Sequence, residues 1–170
     1  MKALSLRQPH ATLVAIGAKT IETRSRPTSF RGRFAIHAAK GWTLAERELL
    51  QYEPFYSVLA DHFGDRWFEV GDADSRETLL PRGAVIATAN LVDCRRIAWD
   101  VYPRLQFLDA RTLSKQEIAF GNYETGRYAW VLADVKLLPE PIPANGALGL
   151  WEFDNSIAHS LEEFLIRGPE

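Results

Sequence analysis

The sequence predicts one α+β domain, on three observations. Short stretches that read as strands recur along the chain, at 3–6, 19–24, 33–38, 83–94, 128–138 and 148–153. Between them stand helix-like stretches opened by a proline or by a Thr-x-x-Glu capping box. The 170 residues, 46% hydrophobic and 25% charged, suit one globular unit with its own core, so a single domain over 1–170 is expected.

Ala3 to Leu6 alternates and makes a first strand leading into Arg7-Gln8-Pro9-His10. Proline suits a first helical position because its missing N–H would be unpaired there, so a helix is expected from Pro9. His10, Leu13, Val14 and Gly17 then share one face, and Gly17 closes the helix in a left-handed conformation. Amides at the start of such a helix attract anions, and Arg7 beside them would reinforce a phosphate or carboxylate site.

Lys19 to Arg24 follows as a strand. With period-two alternation, Thr20, Glu22 and Arg24 face one way and Ile21 and Thr23 the other, leaving Glu22 and Arg24 about 7 Å apart on one side. That pair can clamp a polar ligand, with Lys19 at the strand's mouth. Residues 25–32 read as a loop punctuated by Pro27 and Gly32 that could lie against nucleic acid through Arg26 and Arg31. Arg33 to Ala38 is the next strand, and its His37 belongs either beside the core or in a pocket wall.

Thr43-Leu44-Ala45-Glu46 is a capping box, predicting a helix from Leu44 to about Glu53, and Pro54 opens a second ending near Gly64. This acidic pair is expected to pack outside the sheet. Residues 65–81 read as a polar surface excursion. Gly83 to Cys94 and Tyr128 to Leu138 are the long strands. In the second, Ala129, Val131, Ala133, Val135 and Leu137 are expected on the core face, leaving Tyr128 and Trp130 free to stack on a base. A short helix is expected over 114–120, a turn at 139–143, a last strand containing Trp151, and an amphipathic helix over 157–165.

Charge is unevenly spread along the chain. Residues 1–40 hold eight lysines and arginines against Glu22 alone, the next forty are acidic, and arginine outnumbers lysine 15 to 5. Planar guanidinium groups suit bidentate recognition of phosphate or a base edge. One cysteine, Cys94, excludes an intramolecular disulfide, four scattered histidines lack metal-ligand spacing, and no apolar run has signal-peptide or membrane-spanning length. A cytoplasmic protein with no metal, cofactor or membrane partner is the expectation.

These residues carry a resemblance. Gly17-x-Lys19-x-x-Glu22-x-Arg24 resembles the GxKxxExR signature of the ASCH domain, a relative of the PUA RNA-binding domain. Ser5-Leu6-Arg7-Gln8-Pro9, Gly126-Arg127-Tyr128-Ala129-Trp130 and Gly149-Leu150-Trp151 are similar to blocks of its single-domain bacterial members. His10 departs, standing where a large aromatic is expected after the proline. The resemblance implies a PUA-like mixed β-barrel with peripheral helices and a basic cleft between barrel and first helix. It also implies RNA or a nucleotide or nucleoside as partner. Some members hydrolyse an acylated pyrimidine nucleoside or cleave RNA, so binder and hydrolase both stay open. Arg7, Gln8, Pro9, His10, Arg24, Arg26, Arg31, His37, Tyr128, Trp130 and Trp151 are the candidate ligand contacts. Lys19 and Glu22 are the candidate catalytic pair, with Glu22 held ionised by its cationic neighbours and Lys19 weakened as an ammonium by repulsion from Arg24. Members that hydrolyse acylated nucleosides carry a hydroxyl residue at the position of Glu22.

Overall fold

A computed structural model describes residues 1–99 and 107–153. Seven strands, β1 (Lys2–Leu6), β2 (Ile21–Arg24), β3 (Gly32–Ala38), β4 (Ala84–Ala98), β5 (Phe107–Asp109), β6 (Tyr128–Pro143) and β7 (Leu150–Glu152), form one mixed sheet. Its order is β2-β6-β4-β3-β1-β7, with β5 beside the far end of β4. β1 runs parallel to β3 and β5 parallel to β4, while the remaining pairs are antiparallel. The sheet curls into a half-barrel. Three register shifts along β4 and β6, and one between Ile36 and His37 on β3, supply the bends, because each bulge adds local twist.

Among the described residues six helices flank it: α1 (His10–Ala15), α2 (Leu44–Glu48), α3 (Phe55–Phe63), α4 (Asp65–Glu69), α5 (Ala73–Arg76) and α6 (Lys115–Ala119). α1 is buried from Ala11 to Ala15 because it lies between two cores. Ala11, Val14 and Ala15 pack with Leu4, Phe34, Ile36 and Ile86 of the sheet, whereas Leu13 packs with Leu50, Phe55, Leu59, Trp67 and Phe120 of the helical layer. The capping box of Thr43 and Glu46 forms as expected, with Glu46 accepting from both the amide and the hydroxyl of Thr43.

Three expectations fail for identifiable reasons. Residues 65–81 are not a surface excursion, since they fold into α4, α5 and a 3-10 turn around the fully buried Trp67. Local polarity concealed a segment anchored by Trp67 and Leu80, which are buried although Phe68 stays exposed. No turn forms at 139–143, because β6 continues through Pro143, opposite the start of β4. The core face of β6 is also reversed: Trp130 and Leu132 sit in the main core at 5% exposure each, and Leu137 is exposed. Alternation identifies two faces without saying which is concave. The concave side of a curled sheet has the volume for an indole, while Ala129 fits the thin second layer with Ile21, Ile97 and Tyr123. The helix expected over 157–165 lies outside the described residues.

Candidate functional site

Glu22 and Arg24 emerge on one side of β2, into a cavity of about 620 Å³ bounded by β1, α1, α2 and the 119–122 segment. Arg7, His10, Phe55, Phe120 and Asn122 complete its principal walls. The alternation of β2 therefore positions the pair as the sequence predicted. One Glu22 carboxylate oxygen lies 3.6 Å from Arg24 Nη1 and the other 3.8 Å from Lys19 Nζ. Arg24 in turn stands 5.8 Å from the centre of the Trp130 ring.

Lys19 does not swing over this cavity. It is 1% exposed, lies behind Glu22, and donates to the carbonyl of Ile21. An ammonium without water is costly, so burial lowers the Lys19 pKa despite the attraction of Glu22 and Glu117. Burial likewise raises the Glu22 pKa, and Lys19, Arg24 and Arg127 only partly offset it. The expectation that Glu22 is held low is thus reversed: desolvation outweighs its cationic neighbours. Lys19 shifts in the expected direction, but through desolvation and not through repulsion by Arg24.

Glu117 carries no signal in the sequence, being one acid on a five-residue helix. It is buried, and its carboxylate accepts from the amides of Thr20 and Ile21, the Thr20 hydroxyl and the Tyr123 phenol. Those four bonds fix the backbone that carries Lys19 and Glu22. Gly121 did leave a signal. A Cβ there would come within 2.8 Å of the Tyr123 ring and 3.1 Å of Thr23, so only glycine lets the loop press onto β2. The Asn122 amide then donates to Thr23 Oγ1, and Arg127 ties the Asn122 and Thr23 carbonyls together.

The other predicted residues divide. Arg7 and His10 line the cavity. Arg7 pairs with Glu46 at 3.0 Å. His10 is edge-on to Phe55 at 5.8 Å, and Phe55 is edge-on to Phe120 at 5.0 Å. Burial, aided by Lys19, lowers the His10 pKa to about 4, so it is neutral at physiological pH. Its Nδ1 is buried without a hydrogen-bond partner.

Gln8 and Pro9 are buried and do not line the cavity, and Gln8 donates to the Pro81 carbonyl and accepts from the Thr12 amide. Trp130, expected to be a stacking surface, is a core residue whose Nε1 donates to the Arg26 carbonyl, and Tyr128 packs against the same core. Neither Arg26 nor Arg31 lines the cavity, and Arg31 is engaged with the Thr28 and Phe30 carbonyls and lies 3.6 Å from Asp93.

His37 and Trp151 stand elsewhere. His37 lines a second, adjoining cavity, edge-on to Trp151 at 5.6 Å. Its Nε2 donates to the Ala144 carbonyl, leaving Nδ1 to accept from Ser5, whose oxygen accepts from Trp151 Nε1.

The first cavity is also not basic. Arg7 and Arg24 face Glu22 and Glu46, so its formal charges balance. What it offers is a fixed donor beside a fixed acceptor, walled by an imidazole and two phenyl rings.

The chain is similar to the ASCH structure from Zymomonas mobilis, at 17% identity over 95% of this chain and 93% of that one, with a TM-score of 0.49. A mutant of the Zymomonas mobilis protein matches at 18% identity over 95% and 96%, with the same TM-score. A model of the ASCH domain matches residues 4–141. That match spans most of the chain and includes the end of β1, α1, Lys19, Glu22 and Arg24, so the protein belongs to the ASCH domain family, a PUA-like family often linked to RNA binding.

Proposed function

We propose that the protein binds RNA or a nucleotide by seating one nucleoside in the cavity between β2 and α1. The observation that carries this reading is the Glu22–Arg24 pair, held 3.6 Å apart at the wall of a balanced, aromatic-lined cavity. A nucleobase edge presents donors and acceptors side by side, and the face of its ring suits contact with His10, Phe55 and Phe120. A free phosphate would meet Glu22 and Glu46 there, which disfavours it.

A second reading, hydrolysis of an acylated nucleoside, rests on the proton affinities of the buried pair. Glu22 is shifted up and Lys19 down, which brings the two closer in proton affinity and favours proton exchange by the carboxyl. Glu22 is the member that reaches the cavity, while Lys19 acts through it as a positioning residue.

Calorimetric titration with the four ribonucleosides, N4-acetylcytidine and a short single-stranded RNA tests both readings. Wild type should bind at least one nucleoside, and Glu22→Gln should weaken it about tenfold or more, because a charge-assisted hydrogen bond is lost. Unchanged affinity in Glu22→Gln would refute the base-edge role. Acetate release by wild type that disappears in Glu22→Gln would establish the hydrolase.

A further inference from the structure

The second cavity, of about 760 Å³, shares Ser5, Ala39, Ala147 and Leu148 with the first. The two differ in charge. In the first, each arginine already faces a carboxylate. The second is lined by Lys40 and Arg82 and contains no aspartate or glutamate among its lining residues. Lys40 makes no ion pair among the described residues. Arg82 lies 5.6 Å over the Trp42 ring and makes a long ion pair, 3.9 Å, with Glu77, a carboxylate outside the cavity lining that Arg47 holds more closely at 2.9 Å.

Topology brings these two cations together. Ala38 pairs with Ala84 at the end of the β3–β4 ladder, and the next bond runs from the Gly83 amide to the Ala38 carbonyl at 2.7 Å. Lys40 and Arg82 therefore come from the two chain ends just beyond that pair, and both line the second cavity. A Cβ at Gly83 would lie 3.9 Å from that of Lys40, so the lysine stem runs along the glycine.

The 144–149 segment lines both cavities, and it is held by the Ala144 amide on the Gly83 carbonyl and by His37 on the Ala144 carbonyl. Glycine at 146 lets it press close, since a Cβ there would come within 2.4 Å of His37 and 2.6 Å of Ser5. Leu148, 99% exposed, stands on the rim common to both.

We propose that the second cavity is a phosphate subsite, in which Lys40 and Arg82 receive the phosphate attached to the nucleoside seated in the first. This rests on the nucleoside reading above and makes the preferred ligand a phosphorylated ribonucleotide. Charge separates the two halves of the ligand: the balanced cavity takes the neutral base, and the cationic one takes the anion. The phosphate has two sources, the monoester of a free nucleotide or the phosphodiester of an RNA strand.

Calorimetric titration compares each ribonucleoside with its 3′- and 5′-monophosphate and with dinucleoside monophosphates, in wild type, Lys40→Gln and Arg82→Gln. The readout is the ratio of nucleotide to nucleoside affinity within each protein. Wild type should favour a phosphorylated form about tenfold or more, and the ratio should fall towards unity in Lys40→Gln, with Arg82→Gln intermediate or equal. Preference for the dinucleoside monophosphate assigns the subsite to an RNA strand, and preference for a monophosphate assigns it to a free nucleotide. A wild-type ratio near unity, with nucleosides still bound, would overturn the subsite and leave the nucleoside reading standing. A phosphate preference that survives both substitutions would place the anion elsewhere and overturn it as well. If neither nucleosides nor nucleotides bind wild type, both proposals fall.

Discussion

Replacing Lys19 by methionine keeps most of the side chain's length and removes its charge, so it isolates the ammonium's role. In the folded protein Lys19 Nζ lies 3.8 Å from Glu22 Oε2, and Lys19 is 1% exposed. At the effective dielectric of about 20 that suits protein sites, two unit charges at that separation attract by about 4 kcal/mol. Burying each ion costs several kcal/mol, so the pair as a whole adds little net stability. Removing one partner is different. Lys19→Met leaves a desolvated carboxylate with only Arg24 close by and strips the Ile21 carbonyl of its donor, which together should cost about 3–5 kcal/mol. Glu22→Gln strands the ammonium and should cost a similar amount. The double variant removes both charges and should be more stable than the sum of the two losses by about 2–4 kcal/mol. Urea unfolding of the four proteins closes the cycle. A coupling below about 0.5 kcal/mol would refute the claim that Lys19 and Glu22 form one buried unit.

Two further outcomes follow from groups around the site. His10 has its pKa lowered from 6.5 to about 4, so the unfolded chain takes up this proton first. Its contribution is whole above pH 6.5 and is lost as pH falls through about 4, amounting to about 3 kcal/mol. His10→Gln should flatten stability across that window, and an NMR titration placing the His10 midpoint near 6.5 would contradict it. Glu117→Ala leaves the Thr20 and Ile21 amides unsatisfied and should cost about 3 kcal/mol or more, against about 1–2 kcal/mol for Tyr123→Phe. A loss below about 1 kcal/mol for Glu117→Ala in the same urea experiment would show that its four hydrogen bonds do not hold the Lys19–Glu22 backbone.

Local chemistry by itself determined much of this molecule. The alternation of residues 20–24 put Glu22 and Arg24 on one face, the capping box of Thr43 and Glu46 marked α2, and the spacing of Lys19, Glu22 and Arg24 identified the family. Such features are legible because they depend on neighbours a few residues apart. Three decisions belong to the tertiary structure alone. Curling of the sheet decided that Trp130 faces inward, since strand alternation is blind to which face becomes concave. Burial decided the protonation tendencies of Glu22 and Lys19, because desolvation depends on everything packed around a charge and here outweighs the cations nearest in sequence. Pairing of distant strand ends brought Lys40 and Arg82 to one cavity, and folding of α6 carried Glu117 to Thr20, across 97 residues of chain. A contact made by closing so long a loop leaves no periodicity, spacing or composition for the sequence to display.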